Sequence, residues 1–71
     1  MFHATIRSDA REPFRLSGEA SPYNLQVLRD HLARSRPGTR VEIRIASALH
    51  AAIRRALRNL ERRGVELVLE G

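Results

Sequence analysis

Apolar and polar residues alternate at the start of the chain. In FHATIR, Phe2, Ala4 and Ile6 share one side of a period-two pattern, and His3, Thr5 and Arg7 share the other. That spacing predicts a strand with one buried face. SDAREP (residues 8–13) reads as a turn, because Ser, Asp and Pro supply local hydrogen bonds or a fixed φ. FRLSGE repeats the alternation with Phe14 and Leu16 inward until Gly18 stops it, which predicts an antiparallel hairpin.

The period then changes from two to that of a helix. Ser21 suits an N-cap and Pro22 the first helical position. Leu25, Leu28 and Leu32 follow at helical spacing, with Asp30 and Arg34 in the favourable i,i+4 order, and Pro37-Gly38 ends the helix. RVEIRI returns to alternation with Val41, Ile43 and Ile45 inward. A second helix is predicted from Ser47 to about Arg63, its apolar stripe formed by Leu49, Ile53, Ala56, Leu57 and Leu60. Gly64 suits the left-handed residue that closes a helix. VELVLE supplies a last strand, with Val65, Leu67 and Leu69 on one face.

The order β-β-α-β-α-β predicts a small two-layer α/β domain over residues 1–71. Right-handed crossovers put both helices on one sheet face. The expected sheet is four-stranded and mixed, in order 1-2-3-4, with strands two and three as parallel neighbours. Val41, Ile43, Ile45, Leu49, Ile53, Leu57, Leu60, Leu67 and Leu69 are expected to be its best-buried residues.

Length and composition narrow the function classes. A chain of 71 residues buries only about 60% of its unfolded surface, and without cysteine no disulfide or thiolate site reinforces the core. Association is the remaining common remedy. The last strand would leave an apolar edge with Val68 on the outer face, and such edges are covered or paired, so a homodimer is expected. No apolar run is long enough to cross a membrane and the N-terminus lacks a secretory pattern, so the expected compartment is the cytoplasm. The net charge is +5, and all 13 basic residues are arginines, while the eight acids are spread along the chain. The basicity keeps nucleic acid open as an alternative partner.

Two longer stretches resemble a known family. FRLSGEAS followed by an amphipathic helix resembles the second strand and first helix of STAS domains, the anti-sigma factor antagonist and sulfate transporter family. SALHAAIRRALRNLERRGVELVLEG is similar to that family's second helix and next strand, which usually open with Ser-Gly-Leu and close with Arg-Gly-x-Glu-Leu. The resemblance spans roughly residues 12 to 71 and is to a truncated STAS-like domain. It implies a noncatalytic regulatory module that binds a protein partner, with Ser47 at the position phosphorylated in the family's switch proteins. Ile45, Ala46 and Ala48 stand where those proteins carry an acid, a second serine and a glycine.

Each candidate residue has two readings. Ser47 is either an N-cap, its hydroxyl accepting from a first-turn N–H, or a phospho-acceptor at a helix start that favours an anion. Arg54, Arg55, Arg58, Arg62 and Arg63 form either a solvated face or a patch for phosphates or an acidic protein. No aromatic residue interleaves with them, so base stacking is not expected there. His3, His31 and His50 lie in different elements without ligand spacing, so no metal or cofactor is expected. Ser47 and His50 lack an orienting carboxylate and an oxyanion hole, so no catalysis is expected.

If strands two and three are neighbours, their C-terminal ends share a rim, the usual binding edge of open α/β sheets. The partner site expected there comprises Glu19, Ser21, Tyr23, Asn24, Ser47 and His50, extended along the second helix by Arg54 and Arg58. The alternatives are a small basic nucleic-acid-binding protein using the arginine face, and a subunit of a self-assembling scaffold.

Overall fold

The computed structural model describes residues 1–8 and 12–71. Asp9, Ala10 and Arg11, in the middle of the expected turn, lie outside the described residues. Strands β1 (Phe2–Arg7) and β2 (Phe14–Gly18) lead into helix α1 (Pro22–Leu32) and strand β3 (Arg40–Arg44). A single 3-10 turn (Ser47–Leu49) then enters helices α2 (His50–Ala56) and α3 (Arg58–Arg62), and strand β4 (Glu66–Glu70) follows. The fold is a two-layer α/β arrangement built on a four-stranded mixed sheet.

The strand order is β2-β1-β3-β4, which corrects the expected 1-2-3-4. β1 is inserted between β2 and β3, antiparallel to both, while β3 and β4 pair in parallel. β2 and β3 still run the same way, so β2-α1-β3 is a crossover that skips one strand. Burial explains why this arrangement wins. Phe2, Ala4 and Ile6 of β1 and Val41, Ile43 and Ile45 of β3 are all buried, whereas Phe14 and Leu16 of β2 are only partly so. The two strands with the most completely apolar inner faces take the centre, and the weaker pair take the edges.

That order also revises the core. Leu28 and Leu32 of α1, with no measurable exposure, join Ile53, Leu57, Leu60 and Val65 over the two central strands. Leu67 and Leu69 are half-buried because β4 is an edge strand, and Leu49 is 40% exposed, contrary to the expectation for all three. The outer face is left to His3, Thr5, Arg7, Arg15, Ser17 and the charged residues of β3 and β4. There Glu42 receives Arg7 at 3.0 Å and Arg40 at 3.3 Å, and Arg44 meets Glu70 at 3.5 Å. These pairs are exposed, so they solubilise the face more than they stabilise it.

The second helix is not the continuous element that its periodicity predicts. Leu57 departs from helical geometry at φ −104° and ψ 10°, yet it donates to Ile53 and accepts from Leu60 and Glu61. The ladder changes there, from the i−4 bond of Leu57 to the i−3 bond of Leu60, which divides the helix in two, and Ile53, Leu57 and Leu60 all remain buried.

Candidate functional site

The rim predicted as a binding edge exists, but a different topology assembles it. β2, β3 and β4 end along one edge and β1 begins there, with Phe2 opposite Gly18, His3 opposite Arg44, and Arg44 opposite Glu70. The segments leaving β2 and β3 are not adjacent. They face each other across the start of β1.

Between them the two helices stand apart over a cleft of about 240 Å³. Its floor is Phe2, Ile43 and Ile45, its α1 wall Pro22, Leu25 and Leu28, and its α2 wall Leu49, Ala52 and Ile53. Ala20 and Ser21 close the mouth. The lining contains no ionisable side chain. Leu49, expected in the core, is the partly exposed lip of this cleft.

The α1 side of the mouth is held by local hydrogen bonds. Ser21 is the N-cap, as expected, its Oγ accepting from Asn24 N–H at 3.2 Å. Asn24 Nδ2 in turn donates to the Glu19 carbonyl at 2.9 Å, and the Ser21 N–H reaches the same carbonyl at 2.8 Å. Asn24 is thus committed to shaping the turn, whereas Tyr23, 76% exposed, projects freely. Glu19 is exposed at the mouth.

The α2 side corrects the capping expectation. Ser47 is the first residue of the 3-10 turn, Ala46 and Leu49 occupy the two N-cap positions, and neither start has a side-chain cap. The turn is closed instead by Leu49 N–H donating to Ala46 C=O at 2.9 Å. Ser47 is exposed, and a Cβ placed on Gly71 would stand 2.6 Å from its Oγ, so the hydroxyl lies against the chain leaving β4.

His50 serves the scaffold. Its Nε2 lies 3.1 Å from both the Ile45 and Glu70 carbonyls, so Nε2 carries the proton and bridges the ends of β3 and β4. Among the described residues His50 makes no hydrogen bond to Ser47. Among the described residues, no group of three His, Asp or Glu side chains is placed to hold a metal ion.

Helical geometry separates the arginines. His50 faces β4, and Arg54, four residues on, shares that side and reaches Glu61 at 3.8 Å. Of the two expected extensions of the site, Arg54 therefore runs along the β4 side, away from the cleft, and Arg58 opens the next helical segment beyond Leu57. Arg55, three residues beyond Ala52, and Arg29, four beyond Leu25, continue the two cleft walls instead. Both are exposed, and neither enters an ion pair among the described residues.

The cleft-lining residues Phe2, Leu25 and Ala52 were missed by sequence reasoning about the site. The available signal was Ala52, a small residue among the larger apolar side chains of the lining. Searches against protein-family models, curated proteins and solved structures find no match. Among the described residues no helix is long and apolar enough to cross a membrane.

Proposed function

We propose that the chain is a noncatalytic, cytoplasmic protein-interaction module of regulatory type, consistent with its resemblance to a truncated STAS-like domain. The observation carrying this reading is the apolar cleft that opens at the shared rim. Apolar side chains from the core to the exposed lip line it, with Ser21 as the one polar side chain in the lining and no ionisable group. A cleft of about 240 Å³ falls below the ~300–1,000 Å³ of small-molecule pockets and lacks the convergent polar groups that orient such ligands. It suits a few apolar anchors of a protein partner, the kind of contact that dominates interface energy.

Ser47 fits this reading as a switch. Its hydroxyl is exposed and free of capping duty, and it stands next to Leu49 at the mouth and against the chain at Gly71. A phosphate of about −2 charge there would crowd the strand end and change the potential of the rim. Self-association through the β4 edge remains part of the proposal, with one condition on its register. Antiparallel pairing centred on Val68 would oppose Glu66 of one copy to Glu70 of the other, a like-charge contact that disfavours that register.

The test is capture on the immobilised chain, followed by titration of the captured protein. The reading expects nuclease-resistant, saturable binding at defined stoichiometry. Leu49→Asp and Tyr23→Ala should weaken it, while Arg62→Glu on the distant arginine face should not. Binding that is confined to nucleic acid, falls steeply with salt and is lost in Arg62→Glu would replace it with the nucleic-acid reading.

A further inference from the structure

We infer that the cleft between α1 and α2 accepts an amphipathic helix whose flanks carry carboxylates. This rests on the protein-interaction reading above and specifies its partner. Three features of the molecule point to such a ligand.

The first is the nature of the walls. Both are helices, whose interior backbone groups are already hydrogen-bonded within the helix. An extended peptide laid between them would find no strand edge to pair with, and its own N–H and C=O groups would go unsatisfied as they left water. A helical ligand satisfies its backbone internally and presents only side chains. Apolar residues at i, i+3 or i+4 and i+7 form the stripe such a groove takes.

The second is size. At about 240 Å³ the cleft has room for a few anchor side chains, not a whole ligand. Ala52 keeps the α2 wall low, so a ligand helix can settle toward Ile43 and Ile45 on the floor.

The third is charge. By helical spacing Arg29 continues the α1 wall and Arg55 the α2 wall, one on each side of the groove, and neither pairs with a carboxylate among the described residues. The N-terminal end of α1 adds positive potential at the mouth. The opposing carboxylates are displaced from the groove. Asp30 accepts from Gln26 on the far side of α1, and Glu61 pairs with Arg54 on the β4 side. Glu19, next in sequence to the lining residue Ala20, is exposed. The field along the groove is therefore positive on both flanks and complements an acidic helix.

The polar bay at the other end of α1, beside the stacked Phe14 and His31 rings, is a poorer ligand site. Arg34 and Arg36 line it, but so does Glu12, and the carbonyl end of α1 faces it and disfavours an anion.

The test uses designed peptides of about 18 residues, long enough to populate a helix in water. One has a leucine stripe with glutamate flanks, one the same stripe with lysine flanks, and one the acidic sequence broken by a central proline. Fluorescence anisotropy and amide shift mapping are the readouts. The acidic helix should bind, shifting Leu25, Ile43, Leu49 and Ala52, and the proline peptide should lose that binding. The combined variant Arg29→Glu/Arg55→Glu should weaken the acidic peptide about tenfold or more and improve the lysine peptide. The exposed substitution Ala52→Glu should block the groove without unfolding the domain. Equal binding of acidic and lysine peptides, or shifts confined to β4 or the outer sheet face, would overturn the inference. A protein partner captured in a Leu49-dependent way, with no response to any helical peptide, would refute this inference alone and leave the protein-interaction reading standing.

Discussion

The seam between α1 and the second helical segment has two ends built in opposite ways. At the lower end the elements are tied together. Gly38 N–H donates to Gly64 C=O at 2.9 Å, Glu66 N–H to Thr39 C=O at 2.8 Å, and Arg63 reaches the Ala33 carbonyl at 3.5 Å. Leu32 and Leu60 are buried just above, and Thr39 is buried among these bonds. At the upper end the helix starts are held only to their own turns and strand ends, by Ser21 on one side and by His50 on the other. The segments that follow the two helices are thus tied to each other at one end, while the helix starts at the other end are not. A small domain concentrates its stabilising contacts at the closed end, and the surface left uncovered at the open end is where binding costs the fold least.

Substitutions can break that comparison at either end. Leu32→Ala, at a fully buried position of the closed end, should cost about 3 kcal/mol, while Leu49→Ala at the open lip should cost well under 1. Urea unfolding of the two variants measures the difference directly, and equal losses would mean the two ends are not distinct.

Gly64→Ala is the next largest expected effect. Gly64 has φ +100°, and an added Cβ would meet Pro37 at 3.0 Å from its Cβ and 3.2 Å from its Cα. Strain and contact together should remove about 2 kcal/mol. Thermal melting should show it as a fall of several degrees, and an unchanged midpoint would remove Gly64 from the account of the closed end.

The open end offers finer contrasts. His50→Ala removes the donor shared by the Ile45 and Glu70 carbonyls and should cost about 1 kcal/mol, with faster exchange of the Ile45 amide. The two serines should then differ. Ser21→Ala should lose about 1 kcal/mol with its cap, and Ser47→Ala should be close to neutral because no cap is lost. A Ser47→Ala loss as large as that of Ser21→Ala would restore Ser47 as a cap and weaken its reading as a switch.

What the sequence by itself determined is the set of elements and their faces. Period-two and helical spacings placed all four strands, the α1 cap at Ser21 and the inward residues of β3. Each of these depends on contacts within a few residues, so local pattern is enough to reveal them. The resemblance in residues 12 to 71 added a candidate serine, without its geometry.

Only the tertiary structure decided the strand order, the depth of each apolar residue and the cleft. Alternation in FHATIR shows which face of β1 is buried but not which strands flank it, because inner-face burial reads the same beside any neighbour. Once β1 took the centre, Phe2 became the floor of the cleft and Leu67 and Leu69 were left at an edge. Leu49 has the spacing of a core residue. Its exposure depends on how far α1 stands from α2, a distance set by packing along the whole seam. His50 became a bridge between β3 and β4 for the same reason: its two carbonyl partners are brought together only when the parallel strands pair.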